Sequence, residues 1–156
     1  MAGLDEVERQ PMRRTGVIIP SLGEPPQYPA THAVNGELYF RPESPGLMVC
    51  PVDETPSEPC DARPEELDVA IAMDRMQSVT TLPVDRVLHS WAGLRAFAED
   101  RRPVVGRDPR NDRFCWLAGQ GGFGLQTSPA LGALVAAHLN HGAVVNGDID
   151  IHRLFS

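Results

Sequence analysis

The sequence predicts an α+β fold on three observations: strand-like apolar runs outnumber the two stretches with helical spacing, no internal repeat is visible, and 156 residues suit one domain. The strand-like runs are bounded by proline and glycine, whereas the two helical stretches carry apolar residues three and four apart.

Taken in order, "RTGVIIP" (Arg14 to Pro20) is a β-branched run closed by proline and reads as a strand. Residues 21–37, rich in Pro, Gly, Ser and Asn, have no apolar period and read as a long loop ending in a turn at Asn35-Gly36. "ELYFRPE" and "GLMVCPV" then form an expected antiparallel pair over residues 37–52, and the acidic, proline-rich residues 53–66 read as an exposed connection. "PEELDVAIAMDRMQSV" predicts an amphipathic helix opened by Pro64 and two glutamates, with Leu67, Ala70, Ile71, Met73 and Met76 at helical spacing and both methionines filling a core. Residues 84–97 are β-rich, offering Val84, Val87, Ser90 and Trp91 to a sheet, with the run ending at Gly93-Leu94-Arg95. Residues 98–112 read as a loop with a short extended piece at Pro103 to Val105, and "RFCWLAG" as an apolar strand. Thr127-Ser128-Pro129 reads as an N-cap with proline at the first helical position, so the last helix is expected to begin after Gly124. Leu131, Leu134, Val135 and Leu139 form its apolar face, Gly142 its C-terminal stop, and His138 and His141 lie in its last turn.

Charge and composition exclude several functions. A net charge of −7 argues against a nucleic-acid backbone or an anionic membrane surface as partner. All 14 basic residues are arginine, so lysine Schiff-base chemistry and a P-loop lysine are ruled out. No apolar run approaches the roughly 20 residues that cross a bilayer, and the polar, acidic start "MAGLDEVERQ" is unlike a signal peptide, so a cytoplasmic protein is expected. Three widely spaced cysteines, Cys50, Cys60 and Cys115, suit neither a disulfide framework nor a zinc site, and His138 with His141 lacks a third ligand, so no metal is expected.

The densest motif is "LAGQGGFGLQTSPALG", which matches G-x-G-x-x-G through Gly119, Gly121 and Gly124. Asp148, after a short run "AVV", even supplies the downstream acid of a dinucleotide-binding unit. Against that reading, the helix is expected to start late, and too little sequence follows to build the parallel sheet on which the motif depends. What remains is a strand, backbone amides freed by small residues and a helix N-terminus: a place for an anion or an electron-rich ring edge, or simply a tight crossing. Arg95, between Trp91 and Phe97, could clamp a carboxylate bidentately or form a surface salt bridge. Tyr39 could line a site or pack within its strand. No serine sits in a nucleophile elbow, and no Cys, His and acid cluster assembles from local sequence.

"SWAGLRAFAEDRRPVVGRDP" followed by "FCWLAGQGGFGLQTSPALGALVAAHL" resembles the C-terminal part of FAD-dependent oxidoreductases of the D-amino acid oxidase, glycine oxidase and sarcosine oxidase family. The family pattern is met by Gly93, Leu94, Arg95, Asp100, Pro103, Gly106 and Pro109, with Ala96 where proline is common. "LYFRPESPGLMVCPVDETPSEPC" is similar to the family's substrate-domain hairpin and "GDIDIHRLFS" to its tail, so the resemblance runs from about residue 12 to 155.

The resemblance implies a substrate-binding portion over residues 12–92 with a mainly antiparallel sheet, and, over residues 93–156, the C-terminal strand, glycine turn and helix of an FAD-binding domain. The N-terminal Rossmann part, with its own fingerprint glycines, is absent from this sequence. Gly119, Gly121, Gly122, Phe123, Gly124, Leu125 and Gln126 are then expected along the pyrimidine edge of FAD, Arg95 on the substrate carboxylate, and Tyr39 in the substrate site. The implied activity is oxidation of the C–N bond of an amino acid or secondary amine by hydride transfer to flavin, in a truncated or split enzyme completed by an N-terminal FAD-binding half. The alternative is a non-enzymatic remnant or interaction module. Either way, apolar surface meant for the absent part is expected to be exposed.

Overall fold

The computed structural model describes residues 9–21, 29–82, 84–108 and 110–141, with the backbone alone for Asp112 and His141. The chain forms two compact units, one of Met12–Leu94 and one of Arg95–Ser156 with Met1–Pro11.

The first unit is built on a six-stranded sheet of order β2-β3-β4-β1-β5, with β6 also paired to β1. Its strands are β1 (Gln10–Pro20), β2 (Thr31–His32), β3 (Tyr39–Glu43), β4 (Gly46–Cys50), β5 (Thr55–Pro56) and β6 (His89–Phe97). The antiparallel pair expected over residues 37–52 is β3 and β4, with Tyr39 opposite Cys50 and Glu43 opposite Gly46. Two further features lie within stretches that read as connections. Thr31–His32 pairs with Tyr39–Phe40 to make a hairpin, because Gly36 takes φ 74° and its amide donates to the Ala33 carbonyl at 2.9 Å. Likewise Thr55–Pro56 pairs with β1. Its approach is fixed by Asp53, whose carboxylate accepts from the Thr15 amide and hydroxyl, both at 2.8 Å, while Arg14 Nε donates to the Asp53 carbonyl at 2.8 Å.

One helix, α1 (Glu66–Val79), covers this sheet. Val17, Ile19, Leu47 and Val49 from the strands meet Ala72 and Met76 from α1 in one core, with Leu38 and Val84 beside them. Met76 is fully buried and Met73 packs at the margin, as core fillers. The buried face differs from the expected one: Leu67 is 67% exposed and Ala70 is exposed, while Asp68 turns inward. The cause is an ion pair. Arg13 on β1 donates to Asp68 Oδ2 from Nη2 at 2.9 Å and from Nε at 3.2 Å, and it also pairs with Glu65. Holding that carboxylate against β1 rotates Leu67 outward.

β6 carries the chain into the second unit and continues through Phe97, past the expected end at Gly93-Leu94-Arg95. Its indole at Trp91 lies across Gly16, where a Cβ would come within 3 Å of the ring. Val87 is outside the strand and 37% exposed. Beyond it, the stretch expected as a loop is a hairpin: β7 (Val104–Asp108) pairs antiparallel with β8 (Asn111–Ala118), Val104 opposite Ala118 and Arg107 opposite Cys115. The turn was hidden because a side chain closes it. Asp108, 1% exposed, accepts from the Arg110 amide (2.8 Å), Arg110 Nε (2.9 Å) and Arg110 Nη2 (2.8 Å), and from the Trp116 indole N–H (3.0 Å). A short 3₁₀ turn (Gly121–Phe123) leads into α2 (Gly124–His141), which packs Leu131, Leu134 and Val135 on Val105. The helix therefore starts on Gly124, three residues ahead of the expected cap. Gly142, the "AVV" run, Asp148 and the tail lie outside the described residues.

The Arg110 guanidinium, helped by the Trp116 indole and the Arg110 amide, holds the Asp108 carboxyl well below the usual carboxylate range. An unfolded aspartate takes its proton near pH 3.9, whereas folded Asp108 resists it. Its contribution is therefore complete above about pH 5 and is lost as pH falls through about 4 toward the folded value. In urea unfolding, the midpoint gap between the wild type and Asp108→Asn is expected to be constant above about pH 5 and to close below about pH 4. A gap unchanged at the acid end would contradict this.

Candidate functional site

The glycine stretch is a turn held from below by an aromatic ring. β8 ends at Ala118, Gly119 takes φ 69° and Gly121 takes φ 56°, values that favour glycine. Gln120 forms an isolated antiparallel bridge with Phe97, the last residue of β6. The Phe97 ring occupies the space a Gly121 side chain would need: a Cβ there would lie 2.8 Å from Cδ1 and Cζ. Phe97 is 5% exposed, and the Arg101 guanidinium sits 4.3 Å from its ring centroid. Arg101, at φ 66°, donates its amide to the Ala98 carbonyl at 2.9 Å, and Arg102 donates its amide to Asp100 Oδ1 at 3.1 Å. The 98–102 turn thus backs the glycines, with the Gly119 Cβ position 3.4 Å from the Ala98 nitrogen.

Above this support the turn faces outward. The Phe123 amide donates to the Gln120 carbonyl at 3.1 Å, and the first amides of the continuous 3₁₀ and α segment have no acceptor earlier in the helix. Phe123 is 60% and Leu125 92% exposed, and Gly122 and Gln126 are exposed beside them. Pro129 lies within α2 and has no N–H to give the Leu125 carbonyl. The Ser128 hydroxyl donates there instead, at 2.8 Å, while the Thr127 hydroxyl donates to the Phe123 carbonyl at 2.8 Å. The side chains read as an N-cap therefore satisfy carbonyls inside the first two turns, which lets the helix begin at the glycines. α2 carries no acidic residue in its first turn, so its positive end is not offset within the helix.

The remaining candidates fall in different places. Arg95, half-buried on β6, shares a strand face with Phe97, about 7 Å along the strand by its rise per residue. Tyr39 lies in the other unit, on β3, stacked on His32 with ring centroids 5.1 Å apart. The three cysteines are free; burial pushes the Cys50 thiol up, and the Val52 amide donates to its sulfur at 3.4 Å. Among the described residues no three His, Cys, Asp or Glu side chains are grouped to hold a metal, and buried His138 Nδ1 has no hydrogen-bond partner. Phe97 and Ala98 support the turn yet carry no sequence signal, because each meets residues distant in the chain, and Arg101 braces them from nearby. A Gly121→Ala substitution combines a strained φ with the Phe97 ring, and is expected to cost about 2 kcal/mol in urea unfolding. A loss below about 0.5 kcal/mol would remove the support assigned to Phe97.

This geometry can be set beside known proteins. The family model "FAD dependent oxidoreductase" matches residues 1–138. Glycine oxidase of Bacillus subtilis (strain 168) is 32% identical over 101 residues, 63% of this chain and 27% of that protein. Among solved structures, glycine oxidase from Geobacillus kaustophilus superposes with a TM-score of 0.74 at 23% identity, covering 92% of this chain and 38% of that one. L-proline dehydrogenase from P. horikoshii superposes with a TM-score of 0.76 at 20% identity, covering 89% and 38%. The chain thus spans between about a quarter and two-fifths of the length of these relatives. A family match over residues 1–138, most of its length, makes this chain a member of the FAD-dependent oxidoreductase (DAO) family.

Proposed function

We propose that the chain forms the flavin-capping and substrate-binding part of an FAD-dependent oxidoreductase acting on an amino acid or secondary amine. In this reading residues 12–92 contribute the substrate side and residues 93–156 the C-terminal part of the FAD-binding domain. The observation that carries it is the exposed, glycine-opened start of α2, where Phe123 and Leu125 stand uncovered beside the helix N-terminus over a Phe97 support. That combination fits a flat heterocycle with an anionic edge: small residues admit the ring closely, apolar side chains cover it, and the helix N-terminus favours negative charge near the pyrimidine carbonyls. Gly119, Gly121, Gly122, Phe123, Gly124, Leu125 and Gln126 would hold this edge. In this reading, contacts to the pyrophosphate and adenine would come from the family fold outside the 38% that this chain matches.

When bound, the flavin supplies the acceptor for the hydride removed from the amine-bearing carbon. Arg95 would bind the substrate carboxylate bidentately and so fix that carbon's position, while Tyr39 would line the substrate side. The fold shared with L-proline dehydrogenase, whose substrate name is that of a secondary amine, supports a C–N bond as the bond oxidised.

The test is flavin retention. Purified chain is incubated with FAD and desalted, alone and together with the N-terminal part of Bacillus subtilis glycine oxidase. A retained band at about 450 nm in the mixture, with Arg95→Ala leaving the band intact but raising KM for carboxylate-bearing amines about tenfold or more, is the expected result. A colourless protein under both conditions would favour the remnant reading, and unchanged kinetics would remove Arg95 from the site.

A further inference from the structure

The C-terminal end of α1 meets the β2–β3 hairpin around a cavity of about 590 Å³, within the range of small-molecule sites. Thr31 and Phe40, opposite each other across β2 and β3, form one wall. Ser78, Val79 and Thr80, the last turn and cap of α1, form another, with Leu82 beside them. Phe40 packs on the same core as α1, so it lies on the opposite face of β3 from Tyr39. The cavity is therefore separate from the residue proposed for the substrate side.

Three of the four hydroxyls lining this cavity can only accept. Ser78 Oγ donates to the Arg75 carbonyl at 2.7 Å, Thr80 Oγ1 to the Met76 carbonyl at 2.9 Å and Thr31 Oγ1 to the Pro29 carbonyl at 3.2 Å, which leaves lone pairs for a ligand. The negative end of α1 lies here, and no basic residue in its last turn offsets it. Arg75, the one basic residue of the helix, donates instead to the Glu37 and Pro51 carbonyls. Among the described residues lining the cavity none is charged. Acceptors, a negative helix end and an aromatic ring together select a cation that carries hydrogen-bond donors. A carboxylate would meet lone pairs and the same negative end, while Val79 and Leu82 offer surface to an apolar body.

We infer that this cavity is a small-molecule site for a primary arylalkyl ammonium without a carboxylate. Its preference is opposite to that of the proposed reaction site, where Arg95 would bind a carboxylate, and it stands whether or not the chain holds flavin.

The ¹⁵N-labelled full chain is titrated with phenethylammonium, and with phenylacetate and phenylalanine, which present the same ring with a carboxylate. Saturable amide shifts are expected at Thr31, Thr80, Thr81 and Leu82 with phenethylammonium, and binding at least about tenfold weaker for both carboxylates. Val79 is 55% exposed, so replacing it leaves the core in place. Val79→Arg, which sets a cation at the helix end, should weaken phenethylammonium binding at least about threefold, and Val79→Glu should tighten it by a similar factor, with circular dichroism reporting that both variants fold. Phenylacetate or phenethyl alcohol bound as tightly as phenethylammonium, no saturable shift at these amides, or an affinity indifferent to charge at position 79 would each overturn the site.

Discussion

The Phe97 ring against Gly121 is the contact on which the second unit depends. It places the end of β6 beneath the glycine turn, and the bridge from Phe97 to Gln120 fixes the height at which the turn leaves β8. Without a hydrogen-only side chain at 121 the ring would have to withdraw, and with it the Arg101 guanidinium stacked upon it. The start of α2 is set by the same contact, because Gly121 opens the 3₁₀ turn that becomes the helix. A turn fixed in this way loses little freedom on meeting a ligand, so its amides are already oriented.

Support from below and exposure above are two sides of one arrangement. The backbone of the turn is held by Phe97, Ala98 and Arg102, so Phe123 and Leu125 are not needed to stabilise it and stand in solvent. An apolar side chain 92% exposed at a helix start makes no contribution to the folded chain by itself. Such residues are explained by what covers them, and the proposed flavin edge supplies that cover for Phe123 and Leu125.

Much of this fold was legible in the sequence where the signal is local. The β-branched run ending at Pro20, the pair over residues 37–52 and the helix after Pro64 each carry their own periodicity or punctuation. The misreadings share one cause: a single polar side-chain contact, which no apolar periodicity reports, decided the outcome. Arg13 turned Asp68 inward and Leu67 outward, the Asp108 carboxylate closed a hairpin whose turn lacks glycine, and the Ser128 hydroxyl took the Leu125 carbonyl that Pro129 could not serve. At the site, the glycines announced an unusual backbone, and Phe123 and Leu125 stood within the same motif. Phe97, which makes that backbone possible, was invisible because its role exists only once β6 and the turn have met.

The most direct check on a preformed flavin-facing turn is an NMR titration of the ¹⁵N-labelled chain with riboflavin, which carries the ring system without the pyrophosphate or adenine. The account predicts shifts concentrated at the amides of Gly121, Gly122, Gly124 and Leu125, with α1 and residues 37–52 unmoved. Shifts confined to Met12–Leu94, or none at saturating riboflavin, would contradict it.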